Sequence, residues 1–170
     1  MDKKQNIMRE IEIEKIILNC GGLDEKLDRS VKLLEMITKR KVSRTKSKKR
    51  IPTFGIAPGK ESGCKVTIRN KEEINKLLKR FFAAEAGKIN KKIISDNHFS
   101  LGIPEYIEVP GLEYDRDIGI LGFEVAVVFR RKGKRVIYKK IKKGKYPKKQ
   151  RVSKEEIIEF LNKNFDLEIS

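Results

Sequence analysis

The sequence has one histidine, two cysteines and no long apolar run, and each shortage excludes a class of protein. One histidine beside two cysteines cannot build a Cys/His zinc cluster. No stretch reaches the ~18–20 apolar residues of a membrane-spanning helix. The start MDKKQNIMRE lacks the apolar core of a signal peptide. We therefore expect a cytoplasmic protein with no metal, no other cofactor and no membrane partner.

Both cysteines continue an apolar alternation. Cys20 follows Ile16 and Leu18, and Cys64 precedes an equally regular apolar pattern. This spacing favours small buried side chains over a disulfide or a reactive thiol.

Acidic residues are missing from two long basic segments. Of 41 Lys/Arg, which face 24 Asp/Glu at a net charge of +17, residues 39–50 hold 8 and residues 130–151 hold 13. Neither segment contains an acid, so the remaining 20 basic residues are outnumbered by the acids around them. Two acid-free segments on a nearly neutral body concentrate positive potential where a polyanion can bind. The pattern favours a nucleic-acid partner over a merely solvated surface.

Hydrophobic periodicity predicts a strand followed by a helix near the start of the chain. The strand covers 13–20, and Gly21 and Gly22 break its pattern. The helix covers 23–38, with Asp24 placed as its cap. Residues 1–8 are polar, and we expect them to be flexible.

The next elements are a hairpin and a second helix. Two strands joined by an exposed loop at 57–63 are predicted from the Pro/Gly-rich APGKESG stretch. The second strand, SGCKVTIRN at 62–70, alternates apolar and polar residues. Asn70 and Glu73 form a capping-box pattern for a helix that ends near Ala86.

The rest of the chain is predicted to contain one strong strand and a last helix. Residues 87–119 are expected to be irregular because Gly and Pro recur there. Residues 122–131 alternate cleanly and predict a central strand, and Ser153 and Glu156 form a second capping box.

This order of elements predicts one α+β domain over 1–170, an antiparallel sheet with helices on one face and long basic loops, including a basic extension at 130–151. The other face is left open for a ligand. The hairpin strand would turn its apolar set toward the helices and its polar set onto the open face: Cys64, Val66 and Ile68 inward, and Lys65, Thr67 and Arg69 outward.

Candidate catalytic residues are few. Asp115 and Asp117 would share one side of an extended segment, but the turn-rich setting favours solvated loop acids. His98 has no Cys or Ser near it in sequence, and GKESG lacks the pattern of a phosphate-binding loop. We do not expect an enzyme.

The polar strand favours folded RNA over other nucleic acids. No helix has the concentrated basic charge of a DNA-recognition helix, and the strand offers Lys, Thr and Arg instead of stacking aromatics. From the residues alone, an RNA-processing or RNA-modifying protein and a general nucleic-acid-binding protein stay open as alternatives.

Five segments follow one another along the chain in a recognisable order: MREIEIEKIILN at 8–19, RTKSKKRIPTFGI at 44–56, GCKVTIR at 63–69, FSLGIPEYIEVPGLEYDRDIGILGFEVAVVF at 99–129, and RVSKEEIIEFL at 151–161. Together they resemble the large-subunit ribosomal protein L-five family, whose eukaryotic members are called L-eleven. The basic 130–151 segment before a terminal helix resembles the archaeal and eukaryotic branch, and the short chain favours archaea.

The resemblance implies a structural constituent of the large ribosomal subunit in the cytoplasm, without catalysis. Members of the family bind 5S ribosomal RNA and anchor it with large-subunit ribosomal RNA in the central protuberance. They reach toward peptidyl-site tRNA and touch neighbouring ribosomal proteins, including the other 5S-binding protein and a protein of the small-subunit head.

The resemblance also implies individual contacts. Asn19, Thr67 and Arg69 match family contacts to 5S RNA. Lys39 and Arg40 replace a usual Gly-Gln pair whose glutamine contacts RNA, so either Arg40 takes over this contact with a phosphate or a base, or the contact is lost. The loop that extends toward tRNA consists of Phe54, Gly55, Ile56, Ala57, Pro58, Gly59, Lys60, Glu61 and Ser62. The other expected ribosomal RNA contacts are Lys46, Lys48, Lys49, Arg50, Lys65, Arg130, Arg131, Lys139, Lys140, Lys142, Lys143, Lys148, Lys149 and Arg151.

Overall fold

A six-stranded antiparallel sheet lies at the centre of the computed structural model, which describes residues 6–165 and 167–169. The strands are β1 (Ile11–Gly21), β2 (Ser43–Lys46), β3 (Glu61–Ile68), β4 (Lys88–Ile89), β5 (Ile94–Ser95), β6 (His98–Ile103), β7 (Phe123–Arg131) and β8 (Glu168–Ile169). The helices are α1 (Asp24–Thr38), α2 (Lys71–Ala84) and α3 (Lys154–Phe165). The sheet order is β2-β3-β1-β7-β6-β5, and β4 and β8 form a separate parallel pair.

The three helices cover one face of this sheet, as predicted for an α+β fold. Alternate side chains of each central strand enter the core because neighbouring residues of a strand point to opposite faces. From the strands the core receives, among others, Ile16, Leu18, Cys64, Val66, Ile68, Val125, Val127 and Phe129, and from the helices Leu27, Leu34, Ile74, Leu78, Phe81, Ile157 and Leu161.

The cysteines lie in this core, which confirms their interpretation as buried side chains. Cys20 and Cys64 are directly opposite each other on β1 and β3, and both are free thiols. A hydrogen bond to Cys64, followed in importance by burial, raises the pKa of Cys20. This thiol therefore stays protonated at neutral pH.

The helix starts differ in how they are capped. Ser153 and Glu156 form the predicted reciprocal box: each side chain bonds the other residue's backbone N–H, at 3.4 and 3.0 Å. Asn70 caps α2 by accepting from the N–H of Glu72 at 3.2 Å. The prediction for Asp24 is wrong, because Asp24 makes no capping bond, has a positive φ of 47° and pairs with Lys60 instead.

The strands outside the predicted elements are β2, β4, β5, β6 and β8. The range 87–119 was expected to be irregular, but β6 forms there and pairs along its whole length with β7. The first hairpin strand is β2, within the first basic segment, so the hairpin loop covers 47–60 rather than 57–63. Ile7–Arg9 form a single 3₁₀ turn, and residues 1–5 of the segment expected to be flexible lie outside the described residues.

Candidate nucleic-acid interface

The face of the sheet opposite the helices carries a continuous row of polar or small residues. Ser43, Lys65, Asn19, Glu124 and Gly102 stand side by side across five strands. Directly opposed residues in antiparallel strands share a face, with Cβ atoms about 5 Å apart. A second row joins Thr67, Ile17, Ala126 and Ser100, and a third joins Lys15, Val128 and His98.

The predicted contacts on this face are brought together. Asn19 and Lys65 oppose each other and are exposed, and Thr67 lies two residues further along β3 on the same face. Arg69 follows the last residue of β3 and is exposed. The polar side chains of Asn19, Lys65 and Thr67 therefore lie together where β1 and β3 pair. The guanidinium of Arg69 lies at the end of the strand.

Sequence reasoning missed several residues of the same face. Lys15, Ser43 and Ser100 join it through strand pairing with β7, β3 and β7 respectively. Lys15 could have been found from the alternation of β1, which places it with Asn19. The others required knowledge of β2 and β6, whose pairing partners are distant in sequence.

Arg40 lies near the end of β3, where α2 begins. Its guanidinium pairs with the carboxylate of Glu73 at 2.6 Å. The same carboxylate group also accepts from the side-chain amide of Asn70 at 3.3 Å. Glu73 therefore holds Arg40 close to the polar strand that ends just before Asn70.

The hairpin loop 47–60 is anchored at its base by acids. Arg44 bonds Asp28 at 2.7 Å and Glu61 at 3.2 Å, and Lys60 bonds Asp24 at 3.0 Å. The hydrogen bonds to Glu61 and Asp28 raise the pKa of Arg44. These pairs connect the base of the loop to α1 and β3.

The outer part of the loop is exposed. Phe54, at the tip, is 68% exposed, and Gly55 has a positive φ of 64° that favours glycine. An Ile51–Ile56 bridge closes the tip. The four basic residues of the loop and its entry are exposed and have no acidic partner in the described part of the chain: Lys46, Lys48, Lys49 and Arg50. Glu61 and Ser62, expected in the loop, belong to β3 instead.

The second basic segment divides into a paired half and a free half. Arg130, Lys132 and Lys134 pair with acids of β1 or the residue before it. Beyond Lys134, no basic side chain up to Arg151 pairs with an acid among the described residues. The exposed cations of the free half include Lys139, Lys140, Lys142, Lys143, Lys148, Lys149 and Arg151.

Arg131 corrects the set of expected RNA contacts. Its side chain is only 8% exposed and lies on the helix-facing side of β7. The guanidinium bonds the carboxylate of Glu156 and, at 3.4 Å, the carbonyl oxygen of Arg9. Because its guanidinium is buried and already bonded to these groups, Arg131 is not available to a phosphate, and we leave it out of the RNA surface.

The Arg131–Glu156 pair gives a pH-dependent prediction. Burial raises the pKa of Glu156, but the N–H of Ser153 and the Arg131 guanidinium outweigh it and lower this pKa overall. A carboxyl with a lowered folded-state pKa stabilises the fold above its unfolded-state pKa, and this stabilisation is lost as the pH falls through the folded-state value. Glu156→Gln should therefore destabilise the protein at neutral pH by about 1 kcal/mol, less than the loss of a fully buried pair because the Glu156 side chain is 37% exposed, and by much less near pH 3. Urea unfolding at both pH values measures this difference, and an equal loss at both would contradict it.

The candidate catalytic residues have structural partners instead. Asp115 accepts from the N–H of Asp117 at 2.9 Å, and its own N–H donates to the Tyr106 hydroxyl at 2.9 Å. Asp117 also pairs with Lys32. Among residues 6–165 and 167–169, no group of three or more His, Cys, Asp or Glu could hold a metal ion. No helix in that part of the chain is long and apolar enough to cross a membrane.

Known families and proteins match this chain over nearly its whole length. The family model described as ribosomal protein L5 matches residues 6–56, and the model that describes the C-terminus of the same ribosomal family matches residues 61–160. A large ribosomal subunit protein uL5 of Picrophilus torridus is 38% identical over 99% of this chain and 98% of its own length. Proteins of the same name from Nanoarchaeum equitans (38%, over 95% of this chain and 97% of its own length) and Archaeoglobus fulgidus (36%, 95% and 93%) are similar as well.

Proposed function

The chain belongs to the ribosomal protein L5 family and is a non-enzymatic structural constituent of the large ribosomal subunit, and within that subunit we propose that it binds 5S ribosomal RNA. The family matches confirm the resemblance of the five sequence segments, and the relatives given above are archaeal. As a ribosomal protein it is located in the cytoplasm.

The observation that carries the proposal is the polar cluster where β1 and β3 pair. Asn19, Lys65 and Thr67 share one uncovered face, with Arg69 at its end. Amide, hydroxyl and guanidinium groups can bond base edges, which distinguish one folded RNA from another, and 2′-hydroxyls, which distinguish RNA from DNA. The cluster would therefore read 5S RNA, while charge alone would not.

The two free basic segments supply the general attraction. Exposed Lys and Arg side chains bind phosphates by releasing counterions, whatever the RNA sequence. Residues 46–50 begin beside Glu61, at the opposite end of β3 from Arg69. Residues 139–151 would bind 5S RNA or large-subunit ribosomal RNA and so anchor the two together in the central protuberance. Arg40 would add a contact near the end of β3.

The outer hairpin loop is proposed to reach peptidyl-site tRNA. Its exposed part, from Phe54 to Gly59, combines one aromatic side chain with flanking cations, a combination that can stack on a base or follow a phosphate backbone. Lys60 and Glu61 would act from the base of the loop, where they pair with Asp24 and Arg44. Neighbouring proteins, among them the other 5S-binding protein and a small-subunit head protein, are further proposed partners.

Two measurements test the proposal. The purified protein should bind 5S RNA far more tightly than a tRNA of similar size at the same salt concentration, since phosphate contacts alone would not discriminate. It should also co-sediment with large subunits through high salt. Equal affinity for both RNAs, together with release at high salt, would instead indicate a general nucleic-acid-binding protein.

A further inference from the structure

Three acids at the start of the chain meet the first part of the second basic segment. Glu10 bonds Lys132 at 2.7 Å, and Glu12 lies 3.8 Å from Arg130. The carboxylate of Glu14 bonds the Lys134 ammonium at 2.6 Å. A segment that is acid-free in sequence is therefore partly neutralised by residues about 120 positions earlier in the chain.

Glu14 occupies a special position in β1. Ile13 pairs with Phe129 and Lys15 pairs with Val128, so Glu14 is the extra residue of a β-bulge. A bulge bends its strand and re-aims a side chain that regular pairing would direct elsewhere. Here the re-aimed carboxylate meets Lys134, which follows the end of β7.

The Glu14–Lys134 pair is the most enclosed ion pair of this group. The two side chains are 12% and 22% exposed, whereas Glu10 and Lys132 are 54% and 35% exposed. The second carboxylate oxygen of Glu14 lies 3.5 Å from the hydroxyl of Tyr138. Exposed ion pairs contribute little, but removing one partner of an enclosed pair leaves a charge without compensation.

Few other contacts hold the segment that follows. Of its large apolar side chains, Val136, Tyr138 and Ile141 are 39%, 62% and 80% exposed and bury little surface, and Ile137 and Tyr146 are half-buried. Within the segment, the N–H of Gly144 bonds the carbonyl oxygen of Val136 at 3.3 Å. A segment with so little apolar packing opens easily unless polar contacts hold it.

We propose that Glu14 is a positioning residue for RNA binding: through Lys134 it holds the free half of the basic segment in a fixed arrangement before RNA arrives. The proposal rests on the RNA-binding function proposed above. A segment ordered in advance loses less conformational freedom on binding, so its cations bind more tightly. An acid inside a basic surface would then strengthen the binding of a polyanion.

The direction in which Glu14→Gln changes the affinity for RNA distinguishes a positioning role from simple electrostatic attraction. Glu14→Gln raises the net charge by one, which by long-range attraction alone would tighten binding. If Glu14 positions the segment, the affinity for 5S RNA should instead fall about tenfold. The slope of log affinity against log salt should also become shallower, because fewer lysines reach phosphates.

A matched control and a rescue variant complete the experiment. Glu159→Gln makes the same change in charge at an exposed acid of α3 that has no ion pair among the described residues, and it should bind as tightly as the unmodified protein or slightly more. Exchanging the two charges, Glu14→Lys with Lys134→Glu, rebuilds the pair at unchanged net charge and should recover most of the affinity. Binding by Glu14→Gln that equals or exceeds that of the control would overturn the proposal and show that Glu14 shields Lys134 from RNA.

Hydrogen exchange of the RNA-free protein tests whether the Glu14–Lys134 pair anchors the basic segment, and this test does not depend on RNA binding. Glu14→Gln should speed amide exchange in residues 133–146, while the core strands keep their protection and Glu159→Gln has no effect. Unchanged exchange in that segment would overturn the anchor even if RNA binds well. If exchange changes as expected but the unmodified protein shows no preference for 5S RNA, the anchor stands and the RNA-binding proposal fails.

Discussion

Replacing Thr67 by Val and Arg69 by Ala in one protein is expected to lower the preference for 5S RNA over tRNA about 100-fold, since each base-reading contact contributes about 1–3 kcal/mol of discrimination. Valine keeps the shape of threonine and removes only the hydroxyl that reaches the open face. Alanine removes the guanidinium at the strand end. Neither side chain is part of the core, so the fold should persist.

The comparison of two RNAs makes this measurement specific. Fluorescence anisotropy at a fixed salt concentration gives both affinities, and circular dichroism checks the fold. Thr38→Val with Arg29→Ala loses the same groups on α1, away from the open sheet face and from the hairpin loop, and should keep the preference. If the Thr67/Arg69 variant still preferred 5S RNA as strongly as this control, the polar cluster would not be the reading surface.

Removing four free lysines, Lys139, Lys140, Lys142 and Lys143, is the second change with a large expected effect. Replacing all four by alanine should weaken binding of 5S RNA and of tRNA alike, by about 10²- to 10³-fold near about 0.1 M salt. The slope of log affinity against log salt should become shallower by about three units, because each lost phosphate contact removes about 0.7–0.9.

Four lysines elsewhere provide the matched control. Lys26, Lys76, Lys79 and Lys163 are exposed on the helices, and none has an acidic partner among the described residues. Replacing them lowers the net charge equally but should change the salt slope little, since the helices cover the face opposite the polar cluster. Equal effects of the two quadruple variants would mean that only net charge matters and that residues 139–143 have no special place in the interface.

The local patterns of the sequence were enough to predict the polar face of β3. Strand alternation decides which side chains of Cys64–Arg69 enter the core, and it needs no knowledge of the partner strands. The same holds for β7 and for the Ser153 capping box, whose partner is three residues away. The local pattern was not enough at the start of α1, where Asp24 makes no capping bond and pairs with the distant Lys60 instead.

Distant pairing explains what sequence reasoning did not predict. β2 and β6 are short and lie among basic residues, Gly or Pro, so their strand character depends on β3 and β7. The carboxylate that pairs with the buried Arg131 lies 25 residues later, and the partner of Lys134 lies 120 residues earlier. A charge count along the chain cannot distinguish such paired cations from free ones, and for this reason Arg131 was placed on the RNA surface.

The position of β1 between β3 and β7 sets an order of events during synthesis. β1 is synthesised before its partner β7, which ends at Arg131. Ile11 pairs with Arg131, so 120 further residues must be synthesised before this pair can form. Contacts so far apart in sequence form slowly, and until they form both strands keep unpaired edges. A nascent chain that stops before β7 has no complete sheet to present. The complete open face, with its rows across five strands, therefore exists only when about three quarters of the chain has left the ribosome that makes it.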